Sequence, residues 1–230
     1  MVKITKNSEL YPETTETKFS IIIPFRNEEN NLTELLNSLA LLDFPKELFE
    51  ILLVNDDSDD NSVEVIEHFK TRNPTLPILI LNNLRKSASP KKDAIETAIL
   101  KAQFDWIVTT DADCIVPKNW ITNHIDSYQS GNVFTAAPVS FKTNKKLLGS
   151  FESLDFIGMM GLTAAGIQSK NWYMANGANM SFKSSLFKKL KPYSSEDMAS
   201  GDDIALIQTL SKEHQEKIHF TKNANSTVQT

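Results

Sequence analysis

The chain has 230 residues, 40% of them hydrophobic and 23% charged, enough for one large α/β domain with a substantial core. A net charge of -5 argues against a nucleic-acid binder that relies on a general positive field. The single cysteine, Cys114, excludes an intrachain disulfide and fits a reducing compartment.

Residues 1–18 read as a polar leader carrying Glu9, Glu13 and Glu16, with no apolar signal-peptide core. Phe19-Ser20-Ile21-Ile22-Ile23-Pro24 is a β-branched run closed by proline, which predicts a buried first strand. Asn27-Glu28-Glu29-Asn30-Asn31 follows as a polar turn with capping residues. Leu32, Leu35, Leu36, Leu39 and Ala40 then recur at helical spacing. Phe49 to Val54 predicts a second buried strand, ending in the acid-rich stretch from Asn55 to Ser62. A helix follows with Val63, Ile66 and Phe69 on one face. Pro77 to Leu81 predicts a third strand, Asp93 to Ala102 a helix with Ala94, Ile95, Ala98 and Ile99 inward, and Trp106 to Thr110 a fourth strand.

Beyond Trp120-Ile121 a helix runs through Tyr128, and Asn132 to Phe141, rich in Val, Phe and Thr, predicts one further strand. Leu147 to Ile167 predicts a helix with Gly and Met on one side, read as a closely packed core helix. Its apolar part is too short to span a bilayer. Trp172 to Phe182 predicts a strand broken by a loop around Asn176-Gly177-Ala178-Asn179. Ser200-Gly201-Asp202-Asp203 introduces a helix carrying Ile204, Leu206, Ile207 and Leu210. Residues 223–230 read as a polar tail without a closing element, a candidate truncation point.

Strand and helix alternate through the first half. That predicts an α/β fold with a doubly wound, mostly parallel central sheet and helices on both faces, as one domain over residues 19–222. Ligands of such sheets bind beyond the carboxyl ends of the strands. Arg26-Asn27-Glu28, Asp56-Asp57 and Asp111-Ala112-Asp113 stand at those ends. On an extended strand the i, i+2 spacing of Asp111 and Asp113 puts both carboxylates on one side. There they repel unless a cation relieves them, and Mg2+ or Mn2+ suits oxygen ligands with room for phosphate. Alone, each acid has a plainer reading: a solvated loop for Asp111 and Asp113, a helix cap for Asp56, Asp57, Asp202 and Asp203.

The order of the motifs resembles the family-2 glycosyltransferases, inverting enzymes of GT-A fold, from about Phe19 to about Phe220. The carriers are Ile22-Ile23-Pro24-Phe25-Arg26-Asn27-Glu28, Val54-Asn55-Asp56-Asp57-Ser58-Asp59-Asp60, Lys91-Lys92-Asp93-Ala94-Ile95, Thr110-Asp111-Ala112-Asp113 and Gly201-Asp202-Asp203-Ile204-Ala205-Leu206. The resemblance implies a nucleotide-sugar site built from Pro24, Phe25, Arg26, Glu28, Asp56, Lys91 and Asp111. Asp56 would accept from an imino N–H of uracil or guanine, and Lys91 would approach phosphate or ribose. A divalent cation, Mn2+ or Mg2+, would be held by Asp113 with Asp111. Asp203, with Asp202 beside it, would be the general base for an acceptor hydroxyl. Asn176, Gly177, Ala178, Asn179 and Trp172 would lie on the acceptor side.

The implied partners are a UDP-sugar ahead of a GDP-sugar and a glycan or lipid acceptor, with no nucleic acid. The implied setting is the cytoplasmic side, as a soluble piece of a longer membrane-associated enzyme of cell-envelope polysaccharide or glycolipid synthesis. The chain departs from the pattern in having Thr209 where the late helix usually carries arginine, and no Gln-x-x-Arg-Trp element before Thr230. A GT-A-like nucleotidyltransferase would open with a glycine-rich basic loop, and Phe25-Arg26-Asn27-Glu28-Glu29 has no glycine. A receiver-like signalling domain would be about half this length and would not explain Asp202-Asp203. An inactive sugar-binding module would have no need for Asp111, Asp113 and Asp203.

Overall fold

The structure, a computed structural model, describes residues 17–142, 147–171, 173–193 and 201–230, without the side chains of 147–152 and 202. Most of the leader therefore lies outside the described residues. The strands are β1 (Phe19–Phe25), β2 (Phe49–Asn55), β3 (Ile78–Asn82), β4 (Trp106–Thr109), β5 (Phe134–Ala136), β6 (Val139–Ser140), β7 (Met180–Lys183), β8 (Ile218–Phe220) and β9 (Val228–Gln229). The helices are α1 (Leu32–Ala40), α2 (Ser62–Arg72), α3 (Pro90–Lys101), α4 (Trp120–Gln129), α5 (Leu147–Ser169), α6 (Ser184–Leu190) and α7 (Asp202–His214).

The main sheet has the order β3-β2-β1-β4-β7-β5-β8. β1 pairs in parallel with β2 from Phe19↔Phe49 to Phe25↔Asn55, and with β4 on its other edge. β7 runs antiparallel between β4 and β5, and β8 is parallel to β5. The expected mostly parallel sheet covered on both faces is what forms. β1 shows why its sequence is an unbroken apolar run. Phe19, Ile21, Ile23 and Phe25 face a core with Leu32, Leu35, Leu36 and Leu39 of α1, Ile66 of α2 and Trp120 of α4. Ile22 points the other way, into a core with Ala94, Ile95 and Ile99 of α3 and Leu206, Ile207 and Leu210 of α7. A strand buried on both faces has no polar side to display.

Several expectations are corrected. α3 begins at Pro90, not Asp93, because proline at the first helical position lacks only an N–H that would have no partner there. The single strand expected over Asn132–Phe141 is two strands in two sheets: β5 in the main sheet, β6 paired with β9. Pro138 lies between them and cannot donate to a continuing ladder. The stretch expected as an open polar tail folds into a 3-10 turn, Ala224–Ser226, and β9, with Val228 fully buried. α5 forms, but not as a core helix. Phe156, Met160, Ala164 and Ile167 pack inward, while Leu154, Ile157 and Leu162 are 67%, 56% and 53% exposed. Among the described residues no helix is long and apolar enough to cross a membrane.

Candidate active site

From β1 the chain moves outward through β2 to β3, then returns to lay β4 on the other edge of β1. That reversal opens a crevice at the carboxyl ends of β1 and β4, where such sheets bind ligands. A cleft of about 510 Å³ lies there. Its walls include Pro24, Phe25, Arg26 and Glu28 from β1 and its turn, Asp56 from the end of β2, and Lys91 of α3. Asp111, Ala112 and Asp113 follow β4, and Pro90 and Ala94 complete the lining.

The turns after β1 and β2 hold each other in place. Asn27 and Asp57 adopt left-handed backbone, φ 56° and 61°, which short polar side chains tolerate best after glycine. The Asn27 amide N–H donates to Ser58 Oγ at 3.1 Å, and Asn27 Oδ1 accepts from the Asp59 N–H at 2.9 Å. Glu29 N–H donates to Asp60 Oδ2 at 3.0 Å, and Glu29 Oε2 accepts from Asn61 N–H at 3.0 Å. Glu28 N–H donates to Ser62 Oγ at 2.8 Å. Much of the acid-rich loop is thus structural cement rather than ligand-binding surface.

Asp56 is buried, with 7% of its surface exposed. Its Oδ1 accepts from Asn83 Nδ2 and Arg85 Nε, both at 2.7 Å, and its Oδ2 from Arg85 Nη2 at 2.9 Å. Arg26 approaches Oδ2 at 3.9 Å. Burial pushes the Asp56 carboxyl up, but the bonds from Arg85 and Asn83 and the charges of Arg85 and Arg26 outweigh it, holding the group below its usual value. Asn83 and Arg85 escaped the sequence reading. Their signal was position: Asn82-Asn83-Leu84-Arg85 leaves β3 at the same carboxyl edge.

Asp111 and Asp113 lie beyond β4, in a turn closed by Cys114 N–H on the Asp111 carbonyl at 3.2 Å. A turn, not the pleat of an extended strand, brings the two acids to one cleft. Lys91 Nζ lies 2.6 Å from Asp111 Oδ1, and Asp113 Oδ2 accepts from Thr230 Oγ1 at 3.1 Å. Among the described residues no three His, Cys, Asp or Glu side chains form a ready-made metal cage. Two carboxylates in an open cleft do fit Mg2+ or Mn2+, which keep most positions for water and phosphate oxygens. Cys114 is buried, and burial with the Asp111 and Asp113 charges pushes its thiol up to about 12, so it is inert as a nucleophile.

Across β4 stands the second group. Asp203 lies in the first turn of α7, where a negative charge is favourable. Its Oδ2 accepts from Gly177 N–H at 3.0 Å and its Oδ1 from Ile204 N–H at 2.8 Å. Thr109, the last residue of β4, donates its hydroxyl to the Gly177 carbonyl at 2.6 Å. The loop from Asn176 through Ala178 is thereby fixed to both β4 and Asp203. Asn179, expected on the acceptor side, is instead fully buried. Its Oδ1 accepts from Trp120 Nε1 at 2.9 Å and lies 3.2 Å from His124 Nε2, while its Nδ2 donates to the carbonyls of Pro138 and Ser226, both at 2.7 Å. Trp172 and the side chain of Asp202 fall outside the described residues.

A family model described as Glycosyl transferase family 2 matches residues 20–190. The chain belongs to this family. The family-2 chain is 33% identical over 116 residues to the poly(ribitol-phosphate) beta-N-acetylglucosaminyltransferase TarS of Staphylococcus aureus, covering 49% of this chain and 20% of TarS. It is 27% identical over 114 residues to the glycosyltransferase AglE of Haloferax volcanii, covering 50% of this chain and 36% of AglE. The match therefore spans well under half the length of either relative. Among solved structures, the mannosyltransferase PcManGT of Pyrobaculum calidifontis, in complex with GDP-Man and Mn2+, superposes with a TM-score of 0.72 at 16% identity over 94% of this chain and 57% of that one. S. aureus TarS 1-349 in complex with UDP-GlcNAc gives a TM-score of 0.66 at 21% identity over 93% of this chain and 58% of that one. These likenesses establish the GT-A fold of this family-2 glycosyltransferase.

Proposed function

We propose that this family-2 glycosyltransferase moves a sugar from a nucleotide-diphosphate sugar, UDP- ahead of GDP-, to a hydroxyl of a glycan or lipid acceptor with inversion. One observation carries the reading: Asp56, Lys91, Asp111 and Asp113 line a single cleft, and Asp203 stands across β4 from it. Pro24 and Phe25 wall the nucleoside, with Glu28 at the ribose side. Lys91, now paired with Asp111, supplies a point charge within reach of the diphosphate. Asp113 and Asp111 would hold a divalent cation, whose chemistry is Lewis-acid stabilisation of the departing diphosphate. Asp203 takes the proton from the acceptor hydroxyl as it attacks the anomeric carbon from the face opposite the leaving group. A single displacement of this kind inverts the centre and needs no covalent nucleophile.

Relatives that act on poly(ribitol phosphate) support a cell-envelope polysaccharide or glycolipid as acceptor class. A reducing, cytoplasmic-side setting fits the lone, buried Cys114. The test is a calorimetric titration of UDP- and GDP-sugars with and without Mn2+, repeated on Asp113→Ala. Metal-dependent donor binding in the wild type, weakened about tenfold or more by the substitution, is expected. A wild type that binds neither nucleotide in the presence of Mn2+ overturns the reading.

A further inference from the structure

Asp56 faces two cavities. One is the main cleft. The other, of about 370 Å³, lies behind it and is lined by Asn55, Asp57, Asn82, Asn83 and Arg85. Arg85 and Asn83 line the rear cavity and not the cleft, so they grip the carboxylate from the side away from the cleft. The grip is a guanidinium fork, Nε to Oδ1 at 2.7 Å and Nη2 to Oδ2 at 2.9 Å, with Nη2 also donating to the Asp56 carbonyl at 3.0 Å. Asn83 adds a bond to Oδ1 at 2.7 Å and is itself tied to the Pro90 carbonyl at 2.9 Å. The segment that carries Arg85 is pinned on both sides. Leu84 N–H donates to Thr97 Oγ1 at 3.2 Å, and the Lys86 and Ser87 N–H groups donate to Asp93 Oδ2 at 2.7 and 2.8 Å.

A carboxylate has about four acceptor positions. The grip fills both on Oδ1 and one on Oδ2, leaving the open one on the oxygen nearest Arg26. We propose that Arg85, with Asn83, is a positioning residue that fixes Asp56 as an acceptor-only carboxylate and so selects nucleotides whose base offers an imino N–H, uracil or guanine, over cytosine and adenine. The proposal rests on the donor-binding reading of the cleft. A carboxylate kept ionised cannot turn round and donate to the bare ring nitrogen that cytosine presents at the same edge, and a buried acceptor left facing another acceptor is strongly unfavourable. The charged groups around it are Arg26 and Glu28 from the turn after β1, Lys91 of α3, Asp111 and Asp113 beyond β4, Arg85 from the exit of β3, and Asp57 and Asp93, which act on Arg85. Arg26, the other guanidinium among them, stands 3.9 Å from Oδ2, beyond hydrogen-bond distance.

The experiment titrates UDP and CDP, each with Mn2+, into wild type, Arg85→Gln and Arg85→Lys between pH 5 and 7.5. The phosphates of the nucleotide titrate in this range for every variant, so the quantity read is the variant-to-wild-type ratio of Kd at each pH. Wild type is expected to prefer UDP to CDP by about tenfold or more. In Arg85→Gln the Asp56 carboxyl, still buried but without its fork, takes up a proton at higher pH. The UDP ratio should therefore worsen as pH falls, and the preference over CDP should narrow. Arg85→Lys, which restores charge without the fork, should recover the pH behaviour more than the affinity. Equal weakening of UDP and CDP at all pH values would reduce Arg85 to a general charge and overturn the proposal. So would unchanged UDP binding in Arg85→Gln. A wild type that binds neither nucleotide overturns the donor site itself, an outcome distinct from both.

Discussion

Asp203 has both carboxylate oxygens engaged by backbone N–H groups, one from Gly177 and one from its own helix turn. Asn at this position keeps an oxygen for one of those bonds and cannot take a proton from a hydroxyl. Asp203→Asn is therefore expected to keep donor affinity within about threefold while transfer falls by about a hundredfold or more. Calorimetry and product formation, measured side by side, check this. Transfer at the wild-type rate would remove Asp203 as the base. The acids of the cleft were legible in the sequence because each follows a buried apolar strand, and strand ends are where this fold exposes side chains. Arg85 was not, since its fork to Asp56 depends on how the exits of β2 and β3 approach each other. Asn179 was misjudged for the opposite reason. A short run of asparagine, glycine and alanine suggests a surface turn, and only packing shows the Asn179 amide to be enclosed by Trp120, His124, Pro138 and Ser226.

The elements around that asparagine have a pH signature. His124 of α4 is buried between Asn179 and Ser181, with Nδ1 2.9 Å from Ser181 Oγ. Burial pushes its pKa down from 6.5 to about 4, against a hydrogen bond to Asn179 that raises it. The unfolded chain thus takes up this proton first as pH falls. Stability is at its plateau above about pH 6.5 and declines toward pH 4, by at most about 1.4 kcal/mol per pH unit for this group. Burial and the Lys222 charge lower His219 as well, with the same sign. Urea midpoints at pH 7 and pH 5 should separate for the wild type. In His124→Gln they should draw together, leaving the share of His219. The strands and helices of the first half were readable because each is long enough to show a period. β5, β6 and β8 are two or three residues long, too short to carry one, and Pro138 hid the break between β5 and β6.

At the scale of the whole molecule the two cores, one on each face of the sheet, carry the stability, and the outer face of α5 does not. Leu35 has no exposed surface, whereas Ile157 is 56% exposed. Leu35→Ala is expected to cost about 2–5 kcal/mol in urea denaturation. Ile157→Ser should stay within about 0.5 kcal/mol. Read as a core helix, α5 would make Ile157 as costly to lose as Leu35, because its polar residues gather on no one face from which to read its orientation.

The reversal of β7 has a consequence for how this enzyme could diversify. β1, β2 and β4 meet the cleft with the residues that follow them, but β7, antiparallel to β4, brings to the same edge of the sheet the residues that precede it. Nucleotide recognition in the proposed reaction thus comes from segments up to Asp113, and acceptor recognition from segments after it, joined along the β4–β7 border and through the core that α3 and α7 share. Two regions that share a border but no loops are free to mutate on separate schedules. A hybrid that takes residues 1–118 from this chain and the remainder from a related enzyme should keep this chain's nucleotide preference and adopt the other's acceptor.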